Sequence, residues 1–331
     1  MPKQNPSEWT IQKLRKRCKQ LYPDFRQRPG MTKQELLKLM SHGPKIRKLE
    51  HRGGAEKPTR DLSRRRTNMP STKNLPSTKN IHNLDQWLKN VEPTKTMWRE
   101  FYKVIRWFAY LIHNGVVDNQ SVCLTDVSYK GMSVLSYVMN MCNTKSCQIK
   151  FDPLILKKIK NCPNNSLVLL DVAIFNSSEP GSEGHANCLI IDLGNKTIER
   201  FEPYGDMYSV VDKAIENQFV KKHFPDFEYI DPLKFIPKHG PQYIQSQFGN
   251  KLGLGGFCIT FSFLYFHLRI VNPEKSKKDV VSMIMKGSPE DIDVRIRKFI
   301  AMVNKFVPSK EDGEVFEQFD RKYLEPVRVY A

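Results

Sequence analysis

Apolar positions return at helical spacing twice near the amino terminus, lapse, and then recur through the rest of the chain. Between Thr10 and Leu21, residues Ile11, Leu14, Cys18 and Leu21 share one helical face, with Lys13, Arg15, Lys16, Arg17 and Lys19 mostly elsewhere. After a turn from Pro23 to Gly30, Thr32 precedes Glu35 by three residues, the spacing of a capping box, and Leu36, Leu37, Leu39 and Met40 supply an apolar side. A basic helical hairpin is therefore predicted over residues 1–43. Residues 44–80 show no period, gather Lys, Arg, Gly, Pro and Ser, and contain a short repeat, Pro-Ser-Thr-Lys-Asn at 70–74 and again at 76–80. That composition predicts a flexible linker.

From residue 81 onward apolar density rises. Thr96 to Asn114 reads as a helix with Trp98, Phe101, Ile105, Phe108 and Ile112 on its apolar face, and Met132 to Met141 as a shorter one. Leu167 to Phe175, Cys188 to Asp192, Thr197 to Phe201 and Phe227 to Ile236 are β-rich runs. Val210 to His223 reads as helix between the last two, and Cys258 to Ile270 as a strongly apolar helix. Ser276 to Met285 and Pro289 to Phe306 add two more. Strands interleaved with helices in this way predict an α+β domain over residues 81–331.

Composition narrows the function. Of 331 residues 40% are hydrophobic, enough for one sizeable core, which excludes a wholly disordered chain. No apolar run reaches the roughly 18 to 20 residues of a membrane helix, and Met1 to Asn5 lacks a signal-peptide core, so neither secretion nor a membrane partner is expected. The seven cysteines, Cys18, Cys123, Cys142, Cys147, Cys162, Cys188 and Cys258, are odd in number and irregularly spaced. That predicts free thiols in a reducing compartment rather than a disulfide framework. No Cys-x2-Cys pair occurs and Gly253 to Gly256 lacks a following Lys-Ser/Thr, so neither a metal nor a nucleotide cofactor is expected.

The charge is lopsided. Residues 1–80 hold 21 Lys and Arg against 6 Asp and Glu, so they carry +15 of the chain's +18. A nearly balanced body with such an arm predicts a polyanionic partner, double-stranded DNA, gripped by Lys13, Arg15, Lys16, Arg17, Lys19 and Arg64, Arg65, Arg66. The plainer reading of such a run is a solvated tail. The run Gly30-Met31-Thr32-Lys33-Gln34-Glu35-Leu36-Leu37 resembles the SAP domain, a helix-extended-helix DNA-binding module, over about residues 8–41.

Three segments complement one another chemically. Gly181-Ser182-Glu183-Gly184-His185-Ala186-Asn187 puts a histidine at the mouth of a strand. Glu199-Arg200-Phe201-Glu202-Pro203-Tyr204-Gly205 ends the next strand on Glu202, and a hairpin turning at Gly194-Asn195 would set His185 beside it. Gly253-Leu254-Gly255-Gly256-Phe257-Cys258 delivers a cysteine to the first turn of an apolar helix, where the dipole and free amides favour a thiolate. Taken singly, such a cysteine is more often a small core residue and such a histidine structural. Together they describe a nucleophile, its base and an orienting carboxylate.

The order His, acid, Gln, Cys, with His185 followed 17 residues later by the acid of Phe201-Glu202-Pro203-Tyr204-Gly205, resembles the adenovirus maturation protease, adenain, and the SUMO-specific Ulp-type cysteine proteases. The His-Ala-Asn, Glu-Arg-Phe-Glu-Pro and Gly-Phe-Cys segments are similar to relatives carried by large DNA viruses. The resemblance spans about residues 165–275. It implies a papain-like, Ulp-type fold with a central, mostly antiparallel sheet flanked by helices. It implies Cys258 as nucleophile, His185 as base and then acid, and Glu202 as the group that orients the imidazole. It also implies a glutamine in the oxyanion hole. Gln242 is preferred by its context, 16 residues before Cys258; Gln247, at 11, is the alternative, and Gln245 lies between them.

Two departures stand out: Ala186 follows the histidine where Ulp-type enzymes commonly carry a roofing tryptophan, and Phe257-Cys258-Ile259 replaces Asp-Cys-Gly. The expectation is a cysteine endopeptidase that cuts viral structural precursor proteins during virion maturation, working without cofactors in the virion core and the host cytoplasm, or the nucleus. The alternatives are an isopeptidase for ubiquitin-like modifiers and a DNA-binding structural virion protein with an inactive protease fold.

Overall fold

A computed structural model describes residues 81–95, 102–118, 121–123, 126–129, 132–135, 137–142, 147–175, 184–206, 209–249, 257–309 and 312–325, with 10, 12, 14 and 32–34 ahead of them. The chain divides into two units, residues 1–65 and 66–331. In the first unit, positions 12, 14, 33 and 34 are helical. Lys13, Arg15, Lys16, Arg17, Lys19, Arg64, Arg65 and Arg66, and the linker, lie outside the described residues.

The second unit is an α+β fold built on a mixed sheet. Its strands are β1 (Val122–Cys123), then β4 (Tyr137–Cys142) after the separate hairpin of β2 (Asp126–Tyr129) and β3 (Met132–Leu135), and then β5 (Cys147–Phe151), β6 (Leu167–Phe175), β7 (Gly184–Asp192), β8 (Thr197–Phe201) and β9 (Glu228–Ile230). They run in the order β5-β4-β6-β7-β8-β9, with β1 beside the start of β6. The antiparallel ladders β4·β5, β6·β7 and β7·β8 contain most of the paired positions; β1·β6, β4·β6 and β8·β9 are parallel.

Both faces of the sheet are covered, so its central strands are apolar on both sides. On β6 the residues Val168, Leu170, Val172 and Ile174 pack with Leu189 and Ile191 of β7 against α3 (Leu154–Lys160) and α4 (Ser209–Ile215), which continues through a π turn, Glu216–Val220, into Lys221–His223. On the other face Leu169, Cys188, Ile190 and Phe201 meet the larger layer. That layer contains α1 (Leu84–Trp87), α2 (Tyr102–His113), α5 (Pro241–Gly249), α6 (Cys258–Val271), α7 (Lys277–Met285), α8 (Pro289–Phe306) and α9 (Glu314–Phe319). Every residue of α6 from Thr260 to Val271 is buried, as expected of a helix that is apolar all round. It is the central helix of this layer, and its first residue is Cys258.

Two expectations are corrected. The run from Met132 to Met141 forms β3 and most of β4 rather than a helix, because its short apolar stretch is paired on β2 and β6, and tertiary pairing overrides local pattern. The cysteines are not all thiols: Cys123 and Cys162, 39 residues apart, are joined by a disulfide, and Cys147 is disulfide-bonded too. Parallel pairing of β1 with β6 brings Cys123 to the chain end of α3, a juxtaposition that no sequence spacing announces. Closing such a loop stabilises the fold by about 4 kcal/mol on a chain-entropy argument.

Candidate active site

His185 is the second residue of β7, and the ladder with β8 fixes what faces it. Cys188 pairs with Phe201, so one position further out Asn187 stands opposite Glu202, and His185 follows on the same face. The contacts agree: His185 Nε2 lies 2.5 Å from Glu202 Oε1, and Asn187 Nδ2 donates to Glu202 Oε2 at 2.9 Å. Glu202 is fully buried and accepts two more bonds, from the Tyr204 N–H at 3.0 Å and from Arg200 Nη1 at 2.8 Å. Arg200 in turn forks onto Asp212 of α4 at 2.7 and 2.8 Å, and Tyr229 donates to the same carboxylate at 2.5 Å. A buried carboxylate held by four donors has neither the freedom nor the proton to act otherwise than as an orienting anion.

Cys258 reaches this group from the other side of the sheet. Its thiol is hydrogen-bonded to the His185 side chain, and the Ala186 and Ile259 N–H groups also point at it. With Nε2 committed to Glu202, Nδ1 is the ring nitrogen left for sulfur. Burial opposes both charges. Against it, the Glu202 charge and the bonds to Cys258 and Glu202 raise the His185 pKa to about 9. Burial likewise works against the Cys258 thiolate, yet the His185 bond and charge and the two N–H groups leave its pKa below the ordinary thiol value. Burial also opposes the Glu202 carboxylate, but His185, Arg200 and the Tyr204 N–H hold it below its usual range. Both shifts run in the direction that favours an imidazolium–thiolate pair over a neutral one.

The glutamines separate cleanly. Gln242 is buried on the first turn of α5, and its backbone N–H donates to the Pro203 carbonyl at 2.9 Å. Gly240 N–H donates to Tyr204 O and Asp206 N–H to Lys238 O, both at 3.0 Å, so the start of α5 is stitched to the turn that carries Glu202. That stitching needs glycine twice. Gly205 has φ +92° and a Cβ there would stand 2.4 Å from Lys238 O; one on Gly240 would stand 2.4 Å from Pro203 O. Gln245 instead donates to Asp293 at 2.7 Å, and Gln247 is exposed with its amide on the Tyr243 carbonyl. Gln242→Ala should therefore lower turnover by about 10² to 10³ while Gln247→Ala leaves it within about twofold. Steady-state kinetics of the two variants decide between them.

Sequence reasoning missed Asn187, Arg200 and Asp212 as the support of the carboxylate, although Arg200 and Asn187 sit inside the quoted segments. It also missed Asp171, buried on β6 opposite Cys188. Burial pushes its carboxyl well above the usual range, and the neighbouring Cys258 charge adds to that, so a second anion beside the thiol is disfavoured. Among the described residues no group of three or more His, Cys, Asp or Glu is placed to hold a metal ion, and no helix is long and apolar enough to cross a membrane.

Fold and site together define an α+β protein carrying a thiol–imidazole–carboxylate relay, its imidazole and carboxylate buried and its thiol partly exposed. No protein-family model and no curated protein matches the chain, so the likeness to adenain, Ulp-type proteases and SAP domains stands on the quoted residues alone. Among solved structures the chain is similar to the effector protein RavZ of Legionella pneumophila. One crystal structure of RavZ matches with a TM-score of 0.32 and 10% identity over 70% of this chain and 75% of that one. A second matches at 0.29 and 12%, over 72% and 83%. Likeness at this level bears on neither activity nor substrate.

Proposed function

We propose that the chain is a cysteine peptidase. The observation that carries this reading is the Cys258–His185–Glu202 relay, with the sulfur at a helix start and the imidazole locked by a buried carboxylate. In acylation Cys258 Sγ attacks the scissile carbonyl carbon and a C–S bond forms. The C–N bond then breaks as the imidazolium of His185 gives its proton to the leaving amine. In the second half a water loses a proton to the neutral imidazole and attacks the thioester, the C–S bond breaks, and the acid is released with the thiolate–imidazolium pair restored. Oxyanion donors are the Gln242 amide and the Cys258 N–H, which heads α6.

The pH dependence of alkylation tests this. Cys258 should reach its alkylation plateau with iodoacetamide at a lower pH than an ordinary thiol, which keeps gaining about tenfold per unit below its pKa of about 8.5. The plateau should persist until the imidazolium deprotonates near pH 9. Cys188, the other described free thiol, is fully buried with its pKa raised by that burial, and should stay unlabelled. A Cys258 profile that rises like a free thiol's would sink the reading.

Precursor polypeptides are the favoured substrates over ubiquitin-like modifiers, because Ala186, not a tryptophan, follows His185 and leaves no indole to roof a narrow Gly-Gly channel. The intact relay favours an enzyme over an inert structural protein. The basic arm supports a further part of the reading, a viral maturation enzyme held on packaged double-stranded DNA. Replacing Lys13, Arg15, Lys16, Arg17, Lys19, Arg64, Arg65 and Arg66 by Gln should leave peptide hydrolysis intact and weaken duplex binding. The log–log salt slope should shrink by about 0.9 for each phosphate that the arm no longer neutralises. Equal affinity in an electrophoretic shift titrated with salt would move DNA binding to other residues.

A further inference from the structure

The relay orients His185, but nothing in it orients Gln242. The amide of Gln242 is hydrogen-bonded to the Tyr204 phenol, and its Oε1 is buried with no partner among the described residues. Tyr204 itself is fixed from three sides. Its N–H donates to Glu202 Oε1 at 3.0 Å, its carbonyl accepts from Gly240 N–H at 3.0 Å, and its ring meets the His185 ring edge-on, centroids 5.1 Å apart.

The two ends of a glutamine amide are almost the same shape and differ only in what they can donate. With Nε2 on the phenol, Oε1 is left a buried acceptor without a donor, and it would repel a developing oxyanion rather than bind it. Turning the amide by 180° exchanges them. Nε2 is then free for the oxyanion, and Oε1 needs a donor.

We propose that Tyr204 is a positioning residue of the oxyanion hole, its phenolic O–H donating to Gln242 Oε1 so that Nε2 faces the substrate carbonyl oxygen. The proposal rests on the cysteine-peptidase reading and deepens it. Burial, with the nearby Cys258 and Glu202 charges, pushes the phenol pKa up, so the hydroxyl remains a donor. Because the bond is needed in the orientation the transition state demands, its loss falls on kcat and leaves KM nearly unchanged.

The test is Tyr204→Phe in the full chain, which keeps the ring against His185 and removes only the hydroxyl. The kcat for a fluorogenic peptide should fall about 10- to 100-fold. Alkylation of Cys258 by iodoacetamide should keep its wild-type rate, since displacement of iodide builds no oxyanion. In a Gln242→Ala background the same substitution should cost nothing further, because two residues acting through one donor are not additive. Wild-type turnover by Tyr204→Phe overturns the role of Tyr204, as does an equal loss with and without Gln242, or an alkylation rate that drops as far as kcat. A wild-type Cys258 that resists alkylation fails the peptidase reading first, and the role of Tyr204 with it.

Discussion

Cys258→Ala is expected to abolish peptide hydrolysis, with a loss on the order of 10⁵ or more in kcat/KM and a melting temperature close to that of the wild type. The change removes one sulfur from the first turn of α6 and leaves alanine, a good helix former, where the helix begins. His185→Ala should cost nearly as much, because a thiol without its base and a base without its thiol are equally idle. The double variant should be little worse than either single one, the signature of groups acting as a unit. Thermal melts measured beside the kinetics separate lost chemistry from lost fold. Turnover by Cys258→Ala at the wild-type rate ends the mechanism.

The second large effect is on stability. Arg200→Met removes a fully buried guanidinium that bridges Glu202 at 2.8 Å and Asp212 at 2.7 and 2.8 Å, leaving Asp212 without its cation and Glu202 with His185 alone. Breaking such a pair costs about 3 to 5 kcal/mol. At roughly 2 to 4 °C per kcal/mol for a domain of this size, the melting temperature should fall by about 6 to 20 °C. Activity should fall too, since Glu202 would lose one of its four donors. The sign with pH follows from Glu202. A carboxyl held below its ordinary range in the folded state contributes stability that is present above about pH 4.3 and lost as the pH drops through the folded value. The gap between wild type and Arg200→Met should therefore narrow in acid. A gap that stays constant from pH 7 to pH 3 would mean the guanidinium acts by packing alone.

Much of the second unit could be read directly from local pattern. Thr197–Phe201 and Pro289–Phe306 form with the boundaries the periodicity predicts, and the helix from Ser276 starts at Lys277 with Ser276 as its cap. The turn at Gly194-Asn195 pairs β7 with β8 antiparallel, which alone brings His185 to Glu202. These features depend on residues close in sequence, so composition and spacing suffice to state them.

What the sequence determined by itself was the set of candidate groups and the local elements that present them: a cysteine at a helix start, a histidine at a strand mouth, an acid one hairpin away. The tertiary structure decided everything that needed two distant segments to meet. It set Gln242, and not Gln247, beside the turn that carries Glu202 by bonding Gly240 to Tyr204 and Asp206 to Lys238, and it anchored Glu202 through Arg200 to Asp212 on α4. It made strands of Met132 to Met141, and joined Cys123 to Cys162. The physical reason is common to all four. A hydrogen bond, an ion pair, a ladder or a disulfide takes its value from the partner's position, and that position is set by how helices and strands pack on the two faces of one sheet.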